Sequence, residues 1–455
     1  MTVLRPLGEV ADLVRGIAFP KEDKSHVHRP GDVACLRTTN VQKNVEWADL
    51  WFVPAKHVKR DDQNVRTGDI LISTANSYEL VGKVAQVRSL PTPATLGAFI
   101  SLIRPKEGVH PKFLYHQLAW GKTQTRIREL SSNTTNISNV STKKLATLEL
   151  LIPSRDEQEL IVSEIETQFS RLDEAVANLQ RIKANLKRYK ASVLKAAVEG
   201  RLVETEASIA QREGRSYESG EQLLQRILDG RRAKWTGRGK YKPPVQPPTD
   251  WHEVLTEGWT VATADQLTYL ITSGSRGWGD FYSDTGILFI RAQDIKTDAL
   301  NLLDAARVDV SVDAEGTRSS VSPGDILVTI TGANVTKSAL VPELDELAFV
   351  SQHVALMKLT QPETAPFVFN WIVSPANGRK TLESLAYGAG KPGLSLEQVR
   401  SLPIALPPLA EQIRIVGELD RHLSIIREVE AEVDTNLKRA QALRHATLAK
   451  SFHNP

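Results

Sequence analysis

Apolar residues recur every seven positions in two long stretches of the chain, with Glu, Lys and Arg filling many positions between them. The stretches are residues 155–200, which has no proline or glycine before Gly200, and residues 410–452. A seam with this period is typical of a long helix that packs lengthwise on another helix. Its residues are Ile165, Leu172, Leu179, Leu186 and Val193 in the first stretch, and Leu419, Ile426, Val433 and Ala440 in the second. We predict that the two helices pack on each other. The heptads alone do not choose between a parallel and an antiparallel pair.

The two stretches each end one copy of a repeated unit. Self-similarity at a single large period indicates a duplicated unit, here a globular domain followed by a long helix. The matching positions are Pro153 and Pro407, Glu157-Gln158 and Glu411-Gln412, residues 36–41 (LRTTNV) and 290–295 (IRAQDI), and residues 68–74 (GDILIST) and 324–330 (GDILVTI). The fold class that follows is α+β, with two tandem globular α/β domains and two long helices.

The pattern between the helices divides the chain into five segments. These are globular domains at residues 1–153 and 258–407, long helices at 154–200 and 408–455, and a linker at 201–257. Short strands are predicted at residues 34–36, 69–73, 81–87, 99–103, 287–290, 325–330 and 354–359, and single helices over 111–130 and 367–385. The polar segment 131–141 has too few apolar residues to pack.

The linker has a different composition from the two domains. Residues 221–234 predict a short amphipathic helix, and residues 231–242 form a basic and aromatic run. A proline-rich spacer follows and is expected to be extended. The basic run has two interpretations: it lies on DNA phosphates, or it is a solvated linker that faces a partner.

Composition excludes several classes of protein. The net charge of +3 permits nucleic-acid binding without requiring it. The single cysteine, Cys35, excludes a disulfide framework and a cysteine-rich zinc site, which suits a reducing cytosol. The sequence has no apolar run of about 18 residues and no signal-peptide core at its N-terminus, so we expect a soluble cytoplasmic protein.

Motifs for catalysis are absent or incomplete. Residues 332–338, GANVTKS, resemble a phosphate-binding loop but have Thr336 where a glycine must precede the lysine. GSRGWG at residues 274–279 is not a dinucleotide fingerprint, and the sequence has no HExxH, no GxSxG and no Asn/Asp-Pro-Pro-aromatic tetrapeptide. We therefore predict no catalytic residue and no metal-binding residue.

Polar residues at matching points of the two copies are candidates for DNA recognition. Arg, Asn and Gln can bind guanine and adenine edges through two hydrogen bonds. The alternative for the segments 37–40 and 291–294 is that Arg and Asn or Asp cap a strand and its turn, and we assign the Gly-Asp pairs at 68–69 and 324–325 to turns. The predicted DNA contacts are Arg37, Thr38, Thr39, Asn40, Asn76, Ser77, Tyr78, Arg276, Trp278, Arg291, Gln293, Asp294, Asn334 and Lys337.

These features together resemble the specificity (S) subunit of type I restriction–modification systems. The resemblance rests on PPLAEQIRIV at the start of the second helix, on RRAKW and EGW in the linker, and on the two GDI strands. The first copy departs from the pattern, because in SRDEQELIV only Glu157-Gln158 is kept.

The resemblance implies two target-recognition domains, each reading half of a bipartite asymmetric DNA site, separated by two antiparallel helices. It also implies partners: two adenine methyltransferase (M) subunits and ATP-driven restriction (R) subunits. S-adenosylmethionine, ATP and Mg would then belong to those partners, and this chain would carry no cofactor. The competing hypothesis is a non-catalytic coiled-coil scaffold whose two domains bind proteins.

Overall fold

The chain divides into two compact units, each of which contains part of both long helices. The first unit comprises Met1–Arg181 and Val433–Pro455, and the second comprises Ile182–Glu432. The computed structural model describes residues 3–133, 137–235, 240–249, 251, 255–274, 276–296, 298–310, 316–388, 390 and 392–453. Parts of three predicted segments, residues 134–136, 236–239 and Ser275, lie outside the described residues.

The first unit is a mixed α/β domain followed by a long helix. Its strands are β1 Val3–Pro6, β2 Ala11–Arg15, β3 Asp32–Leu36, β4 Trp51–Pro54, β5 Ile70–Ser73, β6 Ala75–Asn76, β7 Val84–Gln86, β8 Ala94–Leu96, β9 Ile100–Pro105, β10 Ser132–Asn133, β11 Ser138–Asn139 and β12 Glu149–Ile152. Its helices are α1 Leu7–Val10, α2 Pro111–Ala119, α3 Gly121–Glu129, α4 Thr142–Ala146 and α5 Arg155–Val198, the last of which continues into the second unit.

Two sheets form the framework of this unit. The larger sheet has the order β2-β9-β5-β7 and is antiparallel, and the smaller has the order β4-β3-β8 with β3 and β8 parallel. Strand β1 pairs with β12, directly before the long helix. The main core buries Phe113 of α2 and Ile165 of α5 together with Leu448 and Phe452 near the C-terminus. The long helices are therefore part of the domain's own core.

The helix expected over residues 111–130 is two helices. Trp120 has extended backbone (φ −65°, ψ 134°), which separates α2 from α3. The break lets the Gln124 side chain donate to the carbonyls of Leu118 and Gly82, at 2.7 and 2.8 Å. It also places Ile127 in the core. A single straight helix would not make these contacts.

The second unit repeats this architecture after two linker helices. Its helices are α6 Glu206–Glu213, α7 Gly220–Ala233, α8 Ala264–Leu267, α9 Gly316–Ser319, α10 Ala365–Val373, α11 Gly378–Leu385, α12 Leu396–Arg400 and α13 Leu409–His453. Its strands are β13 Thr260–Thr263, β14 Thr268–Ser273, β15 Tyr282–Ser283, β16 Ile287–Ile290, β17 Ile295–Lys296, β18 Ala299–Leu300, β19 Ala306–Val308, β20 Ile326–Thr329, β21 Ser338–Leu340, β22 Ala348–Val350, β23 Val354–Leu359 and β24 Pro403–Leu406.

The sheet order confirms the duplication. The sheet β14-β23-β20-β21 corresponds to β2-β9-β5-β7, and in the sheet β15-β19-β16-β22 the strands β16 and β22 run parallel, as β3 and β8 do. Strand β13 pairs with β24 as β1 pairs with β12. The helix expected over 367–385 is again two helices, α10 and α11, because the segment SPAN between them breaks the helix at a proline.

The long helices α5 and α13 pack antiparallel within each unit, as the predicted fold class requires. The contacts are Glu164 with Lys450 and Asp173 with Arg444 in the first unit, and Tyr189 with His422 in the second. The partner number falls as the α5 number rises, which fixes the direction. No helix within the described ranges is both long and apolar enough to span a membrane.

Burial along the helices follows the heptads, with one departure. Buried seam residues are Ile165, Val193, Leu419, Ile426, Val433 and Ala440, and half-buried ones are Leu172, Leu179 and Leu186. Ile182, which the apolar pattern would also place in the stripe, is exposed. The stripe on α5 is thus narrow in the middle of the helix.

Candidate nucleic-acid interface

The turn after β3 holds the first predicted contact segment. Residues Thr38–Asn40 form a 3-10 turn, and the Asn40 side chain accepts a hydrogen bond from the Arg37 backbone N–H at 2.8 Å. The Asn40 amide also donates to the carbonyls of Glu46 and Asp49, each at 2.9 Å. Asn40 is buried, so its amide shapes the loop that follows.

The same turn recurs after β16 with a carboxylate in place of the amide. Asp294 accepts from the Arg291 backbone N–H at 2.8 Å, and the Arg291 guanidinium donates to both Asp294 oxygens at 3.0 Å. Arg291 also donates to the Asp304 carbonyl at 2.9 Å. The hydrogen bonds to Asp294 raise the pKa of Arg291 above its ordinary value. The capping interpretation of these segments therefore holds for Arg291 and for the residue that ends each turn, Asn40 or Asp294.

Three of the predicted contacts face inward and support the fold. Asn40 and Asp294 close their turns, and the Trp278 indole is buried against Phe289, with ring centroids 5.3 Å apart. We reassign these three from DNA contact to structure. Their neighbours Thr39 and Gln293 are exposed, as is Arg276. Side-chain direction separates the two groups, and the sequence gives no signal for it.

A second loop lies beside the first in each unit. In the first unit Asn76, in β6, pairs with Ser138 of β11, and the exposed Tyr78 follows. Lys83, at the end of this loop, donates to the Gln42 side chain in the loop after β3. Ser77 donates its N–H to the Asn76 side chain at 2.9 Å. The segment 131–141 was expected to be unpacked, but Ser138 is buried because it pairs with this loop.

The corresponding loop of the second unit is also tied to its neighbour. Asn334 donates to the Ala292 carbonyl at 3.1 Å, which joins the loop to the turn after β16. Thr336 has φ +70°, an uncommon conformation for a β-branched residue, and it is buried. Lys337 next to it is half-buried. Each unit therefore brings two of its predicted contact segments together on one surface.

A cleft opens beside the first turn. It has a volume of about 500 Å³ and includes the rings of Phe19, Trp51 and Phe99 in its lining. The Lys24 ammonium lies 4.3 Å and the Arg37 guanidinium 4.5 Å from the centre of the Trp51 ring. The lining of this cleft thus combines aromatic and cationic groups.

The Gly-Asp pairs directly precede strands β5 and β20, as turn chemistry predicts. Gly68 and Gly324 have φ of +94° and +82°, which favours glycine. The sequence did not reveal that each aspartate is also in a buried ion pair. These pairs are Asp69 with Arg104 at 2.7 Å and Asp325 with Lys358 at 2.6 Å. The signal was present, because both cations occupy the same position of the matching strands β9 and β23.

The basic run of the linker is partly used inside the second unit. Arg231 donates to the Thr268 carbonyl at 2.9 Å and to the Tyr241 hydroxyl at 2.7 Å. Lys234 donates to the Thr360 carbonyl at 3.0 Å. These two cations therefore anchor the linker. Over the described residues, no group of three or more His, Cys, Asp or Glu has a geometry that could hold a metal ion.

Comparison with known proteins places this architecture among restriction systems. A family model described as type I restriction modification DNA specificity domain matches residues 3–188 and 276–438. The chain is 23% identical to the type I restriction enzyme EcoKI specificity subunit of Escherichia coli (strain K12), over 99% of this chain and 88% of that protein. It is 25% identical to the StySPI specificity subunit of Salmonella potsdam, over 98% and 87%.

A solved structure shares the fold. A chain from a study of complex assembly and conformational transition of the type I R-M system superimposes with a TM-score of 0.63 at 15% identity, covering 99% of this chain and 97% of that chain.

Proposed function

The chain belongs to the family of type I restriction modification DNA specificity domains, and from this premise we propose that it recognises DNA and catalyses no reaction itself. Each unit would read one half of a bipartite, asymmetric site. The observation that carries this proposal is the duplication: the family match falls on both copies, and both copies repeat one sheet order. Two similar domains with different loop residues can read two different sequences.

We propose that the exposed residues of the paired loops contact the DNA. In the first unit the exposed ones are Thr39 and Tyr78, and the half-buried Thr38, Ser77, Asn76 and Arg37 lie next to them in the chain. In the second unit the exposed ones are Arg276 and Gln293, and the half-buried Lys337, Arg291 and Asn334 belong to the same loops. Arg37 and Arg291 already donate to carboxylates, so they would read bases only by exchanging those partners. This makes the exposed residues the stronger candidates.

The chemistry would belong to partner subunits. We propose that methyltransferase subunits dock on the paired helices, where Ile182, Tyr189, Ile425 and Val429 of the second unit are exposed. Restriction subunits would join that complex. S-adenosylmethionine, ATP and Mg would bind in those partners, because the sequence of this chain lacks the corresponding motifs.

The test uses the heptads of the long helices as a spacer. Seven helical residues span about 10.5 Å, which is close to three base pairs of duplex. Deleting residues 172–178 together with residues 426–432 removes one heptad from each helix and keeps the seam in phase. We expect both half-sequences of the methylated motif to be kept while the unread gap shrinks by about one to three base pairs. Long-read mapping of modified adenines in cells that also express the cognate methyltransferase measures the motif.

The matched control deletes only one of the two segments. The helices then differ in length by a heptad, and we expect loss of assembly and of methylation. An active double-deletion complex with an unchanged gap would contradict the spacer role. Absence of any methylated bipartite motif with the unaltered chain would contradict the proposed function itself.

A further inference from the structure

The outer face of the small sheet differs between the two units. In the first unit the parallel pair β3 and β8 places Cys35 beside Thr95. The matching positions of β16 and β22 are Phe289 and Phe349. Trp278 covers both of these rings, with centroids 5.3 and 5.5 Å away. The second unit therefore fills this face with its own aromatic side chains.

The first unit covers the corresponding positions with other side chains, and the cleft lies next to them. Cys35 and Thr95 are fully buried, and Cys35 packs against Ile17. The large ring nearby, Trp51, stands on β4 and lines the cleft. Phe19 meets Trp51 edge to face at 6.4 Å, and Phe99 at the rim is 64% exposed. A volume of about 500 Å³ is that of a small-molecule site, within the usual range of about 300–1,000 Å³. It is far too small for a segment of duplex.

The two cations on the Trp51 ring are held differently. Arg37 is fixed, because it donates both to the Asp49 carboxylate and to the Asp49 carbonyl. For Lys24, and for Lys21 on the same cleft wall, no carboxylate within the described ranges lies at ion-pair distance. Lys24 can therefore leave the ring without breaking an ion pair. An incoming planar group would then find the face of Trp51 that Lys24 had covered, with the ammonium groups of Lys24 and Lys21 beside it.

We propose that this cleft binds a nucleotide of the target DNA whose base has left the stack. The base would stack on Trp51 between Phe19 and Phe99, and Lys24 and Lys21 would move onto the adjoining phosphates. An aromatic wall offers contact to the face of a base, and that face is free only when the base is unstacked. Stacking on an aromatic side chain is stronger than an exposed cation–π contact, so the exchange with Lys24 favours binding. This inference rests on the proposed DNA-binding function.

The test compares three probes on the full chain in complex with its methyltransferase. The probes are the target duplex fully paired, the same duplex with one extrahelical 2-aminopurine opposite no base, and free 2-aminopurine nucleoside monophosphate. The variants are Phe99→Ala and Lys24→Met, which alter the rim and leave the sheet intact. The matched control is Phe281→Ala, an exposed phenylalanine of the second unit.

We expect the unaltered complex to bind the extrahelical probe about 5- to 150-fold more tightly than the paired duplex. This is the ratio expected when the extrahelical base gains one stacking contact with an aromatic side chain. Phe99→Ala should lower that ratio, Lys24→Met should lower it and reduce its salt dependence, and Phe281→Ala should leave it unchanged. Equal affinity for paired and extrahelical probes, or an unchanged ratio in both cleft variants, would overturn the proposal. So would binding of the free nucleotide without preference for the extrahelical base.

The same complexes are assayed for methylation of the bipartite motif in cells. If the motif is methylated as usual but the binding assay shows no preference for the extrahelical probe, the proposal for the cleft is rejected and the proposed function stands. Loss of all methylation with the unaltered chain rejects the function first.

Discussion

The two long helices carry the same pair of residues, Glu-Gln, in their first turns. Only the glutamine makes the same hydrogen bond in both helices. Gln158 donates to the carbonyl of Pro153 at 2.9 Å, and Gln412 donates to that of Pro407 at 2.8 Å. Both glutamines are 1% exposed. Each one fastens its helix to the strand before it.

The glutamates have diverged. Glu157 is exposed and accepts hydrogen bonds from the backbone N–H and the hydroxyl of Ser154, as a helix cap does. Glu411 is fully buried and accepts from the Trp259 indole at 2.9 Å and from the Glu206 backbone N–H at 2.8 Å. The glutamate of the second helix thus anchors the linker helix α6. Duplicated sequence preserves a role only where the neighbours are duplicated as well.

The buried ion pairs are also duplicated without being equivalent. Breaking them gives the largest expected loss of stability. Arg104 holds Asp69 through two hydrogen bonds and also donates to two backbone carbonyls. Arg104→Met would leave a buried charge unpaired and should cost the first unit about 3–5 kcal/mol. Lys358→Met should cost the second unit less, because burial already raises the pKa of Asp325 and lets it take up a proton.

Urea unfolding followed by hydrogen exchange measures each unit separately in the full chain. The double variant Arg104→Met with Asp69→Leu is the control, since an apolar pair of similar size removes the unpaired charge and should recover much of the loss. Equal losses for Arg104→Met and Lys358→Met would show that the two pairs are equivalent.

Lowering the pH should change the stability of the two units differently. His116 of α2 is buried, and burial lowers its pKa from 6.5 to about 4. The unfolded chain therefore binds a proton before the folded unit does, so stability is fully present above pH 6.5 and is lost as the pH falls toward about 4. The loss is about 3 kcal/mol for the first unit. The matching residue of the second unit is Asn370, which does not titrate.

The contribution of Glu411 to the stability of the second unit should run in the opposite direction. Burial raises the pKa of Glu411 above 4.5, so its contribution is present at low pH and is lost as the pH rises through the folded value. Hydrogen exchange between pH 4 and 7, corrected for the intrinsic rate, measures both slopes. His116→Asn should flatten the slope of the first unit alone. An unchanged slope of the first unit in His116→Asn would refute this assignment.

The smallest expected effect comes from the helix starts themselves. Glu411→Gln places an amide N–H₂ against one of two buried donors, and we expect the second unit to lose about 2 kcal/mol. Glu157→Gln should change little, because an exposed amide can still accept from Ser154. Thermal unfolding of the two variants in parallel tests the pair. A larger loss for Glu157→Gln would mean that the buried glutamate does not anchor the linker.

The sequence predicted the repeat, the long helices and the seven strands β3, β5, β7, β9, β16, β20 and β23, because these follow from period and duplication, but it missed the other strands that the structure describes. It did not predict the break at Trp120, which depends on contacts between Gln124 and Gly82 that are distant in the chain. For α10 and α11 a signal existed, since Pro375 lies in the break. The burial of Asn40 and Trp278 was missed for another reason. Periodicity locates a residue on an element, but it does not say which way a side chain in a turn points.

Cys35, the single thiol of the chain, is fully buried in β3, and burial raises its pKa to about 12. Alkylating reagents need a thiolate that is exposed to solvent, so the folded first unit should be inert to them. Any labelling must then pass through an opening of the small sheet, and its rate counts those openings. The rate at which Cys35 is alkylated in the native chain therefore measures how often one recognition domain opens. This measurement needs no engineered probe, and the second domain, which has no cysteine, stays silent.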